Sequence, residues 1–589
     1  MTRTFVLSLL SIAALSASPQ PSAQQVDPRH PPLASSDIDD IATLLRLEDT
    51  RTFDGEALNR LAYSTHPEVR RRAVITAGRI VTDGSRTLVA QWRTEPKGLD
   101  IATLAFASGQ LKDPAAVAWL EEVLRDPKNN IAAEPAFEAA RALGKIRTPA
   151  AREALSRYLR SGVAGDETSG TIGEALLALG RFTDKGDLGP ILQWRNAKED
   201  GIRWRAAWAL LRPRDPAAVP HLLKMADDSS AEVRSWAVRG LLPALVDQAG
   251  LDRKAVSAFL RLRVHDDDRH VRTEALRALL QYDDDGAFEE FLAALKSPDT
   301  WLSTSAAEFA LRFQTRAEAL RPALIAAGAP TQPLWLRQFV LTPLVTLAPE
   351  AAIDVASSMA RENVGIARAS AVQALGRLGE AGRARYDELV SNEALKAVLP
   401  ALGGRGGGGG GGPRPPAPVR TEADYRRLVE TWIVPDYNGA PKPHAIWETN
   451  RGTIELELFP GDAPMGVEYF MQSLRSGDIV GTEFLRIVPN FVDQQQTIRN
   501  APTLRDEVNL RGLNRGTLAW ASRGLDTGQP GYTLGITPQP HNEGDFTSLG
   551  RVISGMDVVE QMEWGDRIIA ARLRSAAVAT NKLQLTTNK

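Results

Sequence analysis

The sequence predicts a multidomain protein in which an all-α superhelical solenoid is followed by a mainly-β barrel with two capping helices. Three observations carry this prediction. A long region rich in Ala, Leu and Arg repeats similar phrases at helical spacing, a run of glycines and prolines interrupts it, and short alternating strands follow. The 589 residues are also too many for one ordinary core.

Charge and cysteine content exclude several classes of function. The 70 Lys and Arg residues nearly balance the 72 Asp and Glu residues, so we expect no nucleic-acid partner and no basic membrane-binding patch. The chain has no cysteine, which excludes disulfides, thiolate catalysis and cysteine-based zinc sites.

The N-terminus has the pattern of a secretory signal. A charged start precedes an apolar run from Phe5 to Leu15, and small residues and prolines follow. We predict a signal peptide over residues 1–23 and a disordered segment over 24–37. A membrane anchor, the alternative, needs ~20 apolar residues, more than this run offers. We therefore expect an exported protein, periplasmic or extracellular, with no membrane span after signal removal.

Residues 38–402 predict a repeat of two antiparallel helices. Similar phrases begin at residues 66, 230 and 268, and read HPEVRRRAV, SAEVRSWAV and DRHVRTEAL. Asp-Pro pairs such as Asp113-Pro114 and Asp215-Pro216 suit helix starts. No single unit can bury its apolar face, so the units must stack. The phrases resemble HEAT repeats, and a stacked array offers a long surface for an unknown protein partner.

Two features of the repeat region have competing interpretations. The arginines of the phrases, among them Arg72, Arg203 and Arg234, are expected to solvate helix faces or to pair between repeats rather than to bind anything else. The sequence from His265 to His270 looks like a metal cluster, but it precedes a repeat phrase, where Asp caps helices. We predict no metal site and no cofactor.

Residues 403–420 predict a linker, because they contain seven consecutive glycines and then four prolines. Beyond it, in residues 421–589, the spacing of apolar residues changes from that of helices to that of strands. Thr453 to Phe459 alternates apolar and charged residues, as in a half-buried strand. Further strands are predicted at 484–488, 517–522, 532–536, 549–553 and 568–573, with helices at 463–474 and 556–562. Many short strands with two helices favour a closed barrel.

The stretch 482–494, TEFLRIVPNFVDQ, is the strongest candidate site. It combines a fixed cation at Arg486, an aromatic ring at Phe491 and an amide at Gln494 on a strand–turn–strand unit. Such a group could hold an apolar ring while it polarises an amide bond. The simpler interpretation is a structural arginine paired with Asp493 or Glu483.

Four motifs in order resemble the cyclophilin-type peptidyl-prolyl cis-trans isomerases. They are TNRGTIELELF from residue 449, the stretch 482–494, RGTLAWA from residue 515, and PHNEGDFTSLGRV from residue 540. The resemblance spans about residues 444–575. It implies a rotamase that acts on X–Pro bonds of proline-containing polypeptides and assists the folding of exported proteins, without metal or cofactor.

The resemblance assigns roles by motif position. It implies that Arg486 is the catalytic donor to the proline nitrogen. The substrate-binding residues that it implies are Phe491, Val492, Gln494, Ala521, Ser522, Thr533 and Phe546.

Several positions depart from the family pattern. Leu485 stands where the family has His, Thr533 replaces a substrate-binding Gln, and Gly535 replaces an aromatic wall of the proline pocket. Asn542 replaces a pocket Leu. Each lost wall costs on the order of 1–3 kcal/mol of ring burial, so we expect weak or altered activity. The alternative is a non-enzymatic adaptor whose degenerate barrel binds proline-containing peptides.

Overall fold

The computed structural model describes residues 30–126, 134–162, 170–403, 419–499 and 501–574. The predicted signal peptide and the glycine run lie outside the described residues. The predicted disordered segment 24–37 is too long at its C-terminal end. The first helix begins at Ser35, where the Asp37 carboxylate accepts the Ala34 N–H at 2.8 Å.

Helices make up most of the described chain up to residue 396, as predicted. They are α1 (Ser35–Thr50), α2 (Gly55–Ala62), α3 (Pro67–Arg79), α4 (Asp83–Thr94), α5 (Ile101–Gln110), α6 (Val117–Arg125), α7 (Glu134–Ile146), α8 (Pro149–Ser161), α9 (Gly170–Gly180), α10 (Gly189–Leu192), α11 (Asp200–Leu211), α12 (Val219–Met225), α13 (Ala231–Val238), α14 (Pro243–Gln248), α15 (Arg253–Arg263), α16 (Arg269–Leu279), α17 (Asp285–Leu295), α18 (Thr300–Phe309), α19 (Ala317–Ala327), α20 (Leu334–Leu347), α21 (Pro349–Ala360), α22 (Gly365–Arg377), α23 (Gly379–Val390) and α24 (Glu393–Lys396). Short 3-10 segments occupy Pro114–Ala116, Pro216–Ala218 and Ala310–Arg316.

Every second or third helix belongs to one continuous inner layer, in which each helix contacts the next. The layer consists of α1, α3, α5, α7, α9, α11, α13, α16, α18, α20 and α22. Small residues bring these helices close together. A Cβ on Gly109 of α5 would lie 2.6 Å from Ala142 Cα of α7, and one on Gly144 of α7 would lie 2.8 Å from Ala178 Cα of α9. The stacking predicted from the repeats therefore depends on Gly–Ala contacts as well as on alanine.

The acidic residues of the turns serve structural roles. Asp113 and Asp215 accept the N–H groups of Ala115 and Ala217, each at 3.0 Å. The two predicted helix starts are therefore the starts of 3-10 segments. Asp268 caps α16. Within the described residues, no group of three or more His, Asp or Glu side chains is placed to hold a metal ion. No helix in the same part of the chain is long and apolar enough to cross a membrane.

The segment that follows the linker is helical and belongs to the solenoid. It contains α25 (Glu422–Leu428), a π-helical turn (Val429–Ile433) and α26 (Val434–Tyr437), and α25 packs on α1. Arg420 and the Tyr425 hydroxyl both donate to the Asp49 carboxylate, at 2.6 and 2.8 Å. The predicted barrel domain 421–589 therefore begins too early, because these helices satisfy a buried carboxylate of the solenoid.

The barrel itself is a curled antiparallel sheet of eight strands in the order β3-β4-β6-β5-β7-β2-β1-β8. The strands are β1 (His444–Thr449), β2 (Gly452–Leu458), β3 (Phe484–Val488), β4 (Val492–Gln495), β5 (Thr517–Ala521), β6 (Gln529–Gly535), β7 (Ser548–Ser554) and β8 (Ile568–Leu573). A bridge between Glu483 and Arg567 joins the two edges. The capping helices are α27 (Pro464–Ser476) and α28 (Met556–Val559), the second shorter than predicted.

The barrel is seated on the inner layer of the solenoid through arginines that donate to its backbone carbonyls. We call these residues the arginine ladder: Arg72 to Gly461 (2.8 Å), Arg79 to Val508 (2.8 Å), Arg141 to Leu510 (2.7 Å), Arg181 to Glu543, Arg239 to Asn490 (3.3 Å) and Arg269 to Glu560 (2.7 Å). A neutral carbonyl accepts from a cation without a second charge having to be buried. The barrel is thus docked on the solenoid rather than held by the linker alone.

Two types of arginine therefore occur in the repeat phrases. Arg203 and Arg234 pair with Asp228 and Asp266 of the next repeat, at 2.8 and 2.7 Å, as predicted. Arg72 differs, because it binds the barrel, and the expectation that it binds nothing outside the repeats is wrong. Its position in the inner layer, facing Gly461, is the reason.

A buried carboxylate beneath this interface gives a prediction on pH. Glu507 is fully buried and accepts the N–H groups of Met465 and Gly466 at 3.2 and 2.7 Å, while Arg79 and Glu48 lie nearby. Burial raises its pKa from 4.5 to about 7, despite the opposing effect of Arg79. Because the folded state then binds more protons than the unfolded state between these two values, stability is lost as pH rises through about 7.

We expect the unfolding midpoint of the Glu507→Gln variant to fall less than that of the wild type between pH 5 and pH 8. The measurement is thermal unfolding across this range, with the difference between the two proteins as the readout, since Asp506 and Glu174 also titrate here. Parallel pH profiles would contradict the prediction.

Candidate functional site

The candidate site is a row of residues across four neighbouring strands. Arg486 of β3 lies opposite Gln494 of β4, Gln494 lies opposite Thr533 of β6, and Thr533 lies opposite Ala519 of β5. In the next row Val492 lies opposite Gly535. Side chains that are direct partners across strands point to the same face of a sheet. The register therefore places a cation, an amide and a hydroxyl side by side on one face.

This face borders a cavity of about 410 Å³. The structure brings all the residues predicted for catalysis and substrate binding to its wall. They are Arg486, Phe491, Val492, Gln494, Ala521, Ser522, Thr533 and Phe546. The structure places these side chains together, and their roles are taken up below.

Arg486 faces the cavity without a charged partner. Its guanidinium carbon lies 5.5 Å from the centroid of the Phe491 ring, and within the described residues it forms no ion pair and no side-chain hydrogen bond. Partial desolvation lowers the pKa of Arg486, which remains charged because an arginine titrates far above neutral pH. Its donor groups are therefore available to a ligand.

Neither of the two acids that could have neutralised Arg486 pairs with it in the described part of the chain. Glu483 accepts the N–H groups of Gly365 and Ile366 at the start of α22, at 2.8 and 2.9 Å. Asp493 is 1% exposed, and its burial raises its pKa well above the ordinary value. The structural pairing considered for Arg486 is therefore absent from the described part of the chain.

Phe491 is supported from behind by a histidine. The rings of Phe491 and His541 stack with centroids 5.8 Å apart. Burial, together with Arg212, Arg181 and Arg239, lowers the pKa of His541 to about 4. The histidine is neutral near pH 7 and presents an uncharged plane to the phenylalanine, so no second charge lies against the floor of the cavity from this ring.

The opposite wall is built differently from the family pattern. A Cβ on Gly535 would lie 2.9 Å from the Asn514 carbonyl oxygen, so the segment around Leu513 and Asn514 occupies the room that a side chain would need. Leu513 and Asn514 line the cavity themselves. Sequence reasoning missed both, because they lie in a segment without strand or helix periodicity and their distance in sequence from β3 gives no signal.

A short hydrogen-bonded chain also closes this wall. The Asn542 amide donates to Gln539 Oε1 at 2.9 Å, and Gln539 donates to the Phe491 carbonyl at 3.0 Å. Asn542 therefore holds the backbone of Phe491 through Gln539, where the family pattern has only an apolar contact. Gln539 lines the cavity and was also missed from sequence.

The solenoid forms hydrogen bonds with the turn between β3 and β4. Asn490 has a left-handed backbone (φ 58°), and its amide donates to the His270 carbonyl and to the Glu274 carboxylate, at 3.0 and 2.8 Å. The Asn490 carbonyl accepts from Thr537 at 2.7 Å and from Arg239 at 3.3 Å. The hairpin that carries Arg486 and Phe491 is thus fixed by α16 at its tip.

We expect Asn490→Gly to loosen the hairpin without straining it, because glycine adopts the left-handed region freely. Amide hydrogen exchange at residues 485–493 should become at least several times faster, while exchange in β1 and β2 should stay unchanged. Glu274→Gln is the matched control, since its amide oxygen can still accept from Asn490. Equal exchange in Asn490→Gly and the wild type would show that the solenoid does not hold this turn.

Comparisons with known proteins match both parts of the chain to known families. Residues 444–577 match the family model described as cyclophilin type peptidyl-prolyl cis-trans isomerase/CLD. Residues 163–242 match HEAT repeats, and residues 136–161 match the PBS lyase HEAT-like repeat. The fold and both resemblances predicted from sequence are confirmed.

Curated relatives match the C-terminal part of the chain. A peptidyl-prolyl cis-trans isomerase of Synechococcus elongatus is 32% identical over 22% of this chain and 94% of its own length. One of Helicobacter pylori is 31% identical over 24% of this chain and 92% of its own. Peptidyl-prolyl cis-trans isomerase B of Bacillus subtilis is 33% identical over 19% and 85%. The chain therefore belongs to the cyclophilin-type peptidyl-prolyl cis-trans isomerases, with HEAT repeats before the isomerase domain.

Proposed function

We propose that this isomerase acts on X–Pro bonds of exported polypeptides and assists their folding, with Arg486 as its catalytic residue. The observation that carries the proposal is the unpaired guanidinium of Arg486 beside Phe491 in the cavity. Uncatalysed X–Pro isomerisation takes tens to hundreds of seconds, slow enough to limit folding.

The reaction needs a donor that acts only when the amide is twisted. Amide resonance sets a rotational barrier of about 18–20 kcal/mol. Rotation removes the resonance, and the proline nitrogen becomes a better hydrogen-bond acceptor. An arginine placed to donate to that nitrogen stabilises the twisted state more than either planar isomer, and this difference lowers the barrier. No bond to the substrate is formed or broken.

The remaining residues have binding roles in this proposal. Phe491, Val492 and Phe546 hold the proline ring, and Gln494 contacts the substrate backbone or orients Arg486. Ala521, Ser522 and Thr533 lie where the substrate backbone would run. Ser522 Oγ is engaged within its own loop, with Gly524 and Thr527, so it would contribute through its backbone. Thr533 donates to the Ala519 carbonyl at 3.3 Å.

The location and the partner of the protein are proposed from sequence. The signal-like pattern of residues 1–23 supports export to the periplasm or the extracellular space. The inner layer of the solenoid contacts the barrel. An additional protein partner would therefore bind the outer helices, such as α2, α4 and α6.

The second candidate function is a peptide-binding adaptor without catalysis. The changed wall at Gly535 and Asn542 favours it, because less apolar surface is left to hold the proline ring. Both candidates predict binding of proline-containing peptides, and only the enzyme accelerates their isomerisation.

The test is exchange NMR on an Ala-Pro peptide with the whole chain in catalytic amount. We expect the cis–trans exchange rate to rise in proportion to the enzyme concentration, more weakly than in relatives that keep the aromatic wall. Binding without acceleration would establish the adaptor instead.

A further inference from the structure

A second cavity of about 490 Å³ lies beside the candidate site, between the solenoid and the barrel. We call it the side groove. The solenoid contributes side chains of α18, of the 3-10 segment after it, and of α20, while the barrel contributes β3 and Trp564. Its main apolar walls are Leu311, Trp335, Phe339, Pro343, Ile487 and Trp564. A barrel alone would not possess this groove, because half of its wall comes from the repeats.

The side groove adjoins the candidate site. Leu485 and Arg486 line both cavities, so the two meet at the residue proposed to act on the X–Pro bond. An extended polypeptide advances ~3.3 Å per residue. A chain whose proline lies by Phe491 would therefore reach the side groove within a few residues of the reacting bond.

The wall of the side groove combines apolar surface with unsatisfied polar groups. Trp335 is 1% exposed, and its rings lie 6.4 Å from Phe339 in an edge-on arrangement. Within the described residues, Trp335 Nε1 and Gln338 Oε1 are buried without hydrogen-bond partners. Pro343, inside α20, has no N–H to donate to the Phe339 carbonyl. Trp335 Nε1 and Gln338 Oε1 are closed off from solvent, so the surface that the groove offers to a ligand is mainly apolar.

We propose that the side groove is a substrate subsite that binds a large apolar side chain, aromatic or branched aliphatic, of the same polypeptide whose X–Pro bond is isomerised. This inference rests on the proposed isomerase site. The apolar walls bury the side chain. The repeats thereby select substrates in which such a residue stands near the proline.

The experiment scans the position of one phenylalanine in an otherwise alanine-rich peptide with a single Ala-Pro bond. The phenylalanine is placed two to six residues before or after the proline, and the readout is kcat/KM relative to the all-alanine peptide. We expect about a tenfold rise at one or two neighbouring positions on one side, the size expected for burying one large side chain. A flat profile would overturn the inference and leave the isomerase intact.

Thr342→Trp places a bulky side chain in the side groove from an exposed position of α20. It should abolish the preference for the phenylalanine peptide, measured as the ratio of the two kcat/KM values. Thr87→Trp is the control, the same change at an exposed position of α4, and it should keep the ratio.

Fluorescence anisotropy of the labelled phenylalanine peptide separates the subsite from catalysis. Binding should weaken about tenfold in Thr342→Trp and stay the same in Thr87→Trp. Equal binding by the two variants would overturn the subsite even if the peptide is turned over. A selective loss in a protein that does not accelerate isomerisation would support the groove and refute the enzymatic role.

Discussion

Arg486→Ala is expected to lower kcat/KM for X–Pro isomerisation by about 10²–10³-fold, the usual cost of removing one preorganised donor from a transition state. The loss should fall mainly on kcat, because the donor acts on the twisted amide and contributes little to binding of the planar peptide. Exchange NMR or a protease-coupled assay with a short proline peptide measures it.

Arg486→Lys tests the nature of the interaction. Lysine keeps the charge but not the rigid donor fork, so we expect partial activity, between the wild type and Arg486→Ala. Arg551→Ala removes an exposed arginine of β7 that pairs with Glu457 outside the cavity, and it is the matched control. If Arg486→Ala kept kcat/KM within threefold of the wild type, Arg486 would not be the donor.

Arg79→Met is expected to destabilise the folded chain by about 3–5 kcal/mol, because it leaves a buried carboxylate without its cation. Arg79 and Glu48 are each 4% exposed and lie 2.7 Å apart. Arg79 also donates to the carbonyls of Val508, Asp462 and Glu507, at 2.8, 3.0 and 3.2 Å. Thermal and urea unfolding of the whole chain measure the loss.

Arg157→Met is the control for this change. Arg157 pairs with Glu121 at 2.8 Å, but its side chain is 46% exposed, and exposed pairs contribute about 0–1 kcal/mol. The double variant Glu48→Leu with Arg79→Met should recover part of the loss, since it removes both charges. Equal losses from Arg79→Met and Arg157→Met would mean that the ladder does not secure the barrel.

The sequence was sufficient for features that depend on local pattern. Helical spacing with Val-Arg phrases predicts the repeats, and the order of four motifs predicts the barrel and one side of its cavity. Strand β4 was implied only as the second strand of the strand–turn–strand unit and was given no bounds, because Val492–Gln495 is four residues long and three of them are polar. Its place in the sheet comes from pairing with β3 and β6, which no local signal encodes.

Docking of the barrel on the repeats could not be predicted from local pattern. Arg72 stands two positions after the Val-Arg pair of its phrase, whereas Arg234 belongs to such a pair; Arg72 donates to a barrel carbonyl and Arg234 pairs with the next repeat. Gly461 lies hundreds of residues from Arg72 in the sequence, and Asp266 lies tens of residues from Arg234. The segment around Asn514, which fills the space beside Gly535, also takes its place through contacts that are distant in sequence. Tertiary context therefore decides the far wall of the cavity and the side groove.

The contact of Asp49 with Arg420 and Tyr425 joins the beginning of the repeat array to the chain that leaves its end. An open array of repeats has only nearest-neighbour interfaces, so its terminal units fray first and unfolding spreads inward. Here the first helix is held across 371 residues of sequence. The array therefore lacks a free N-terminal unit from which to unravel, and we expect one cooperative transition rather than stepwise melting.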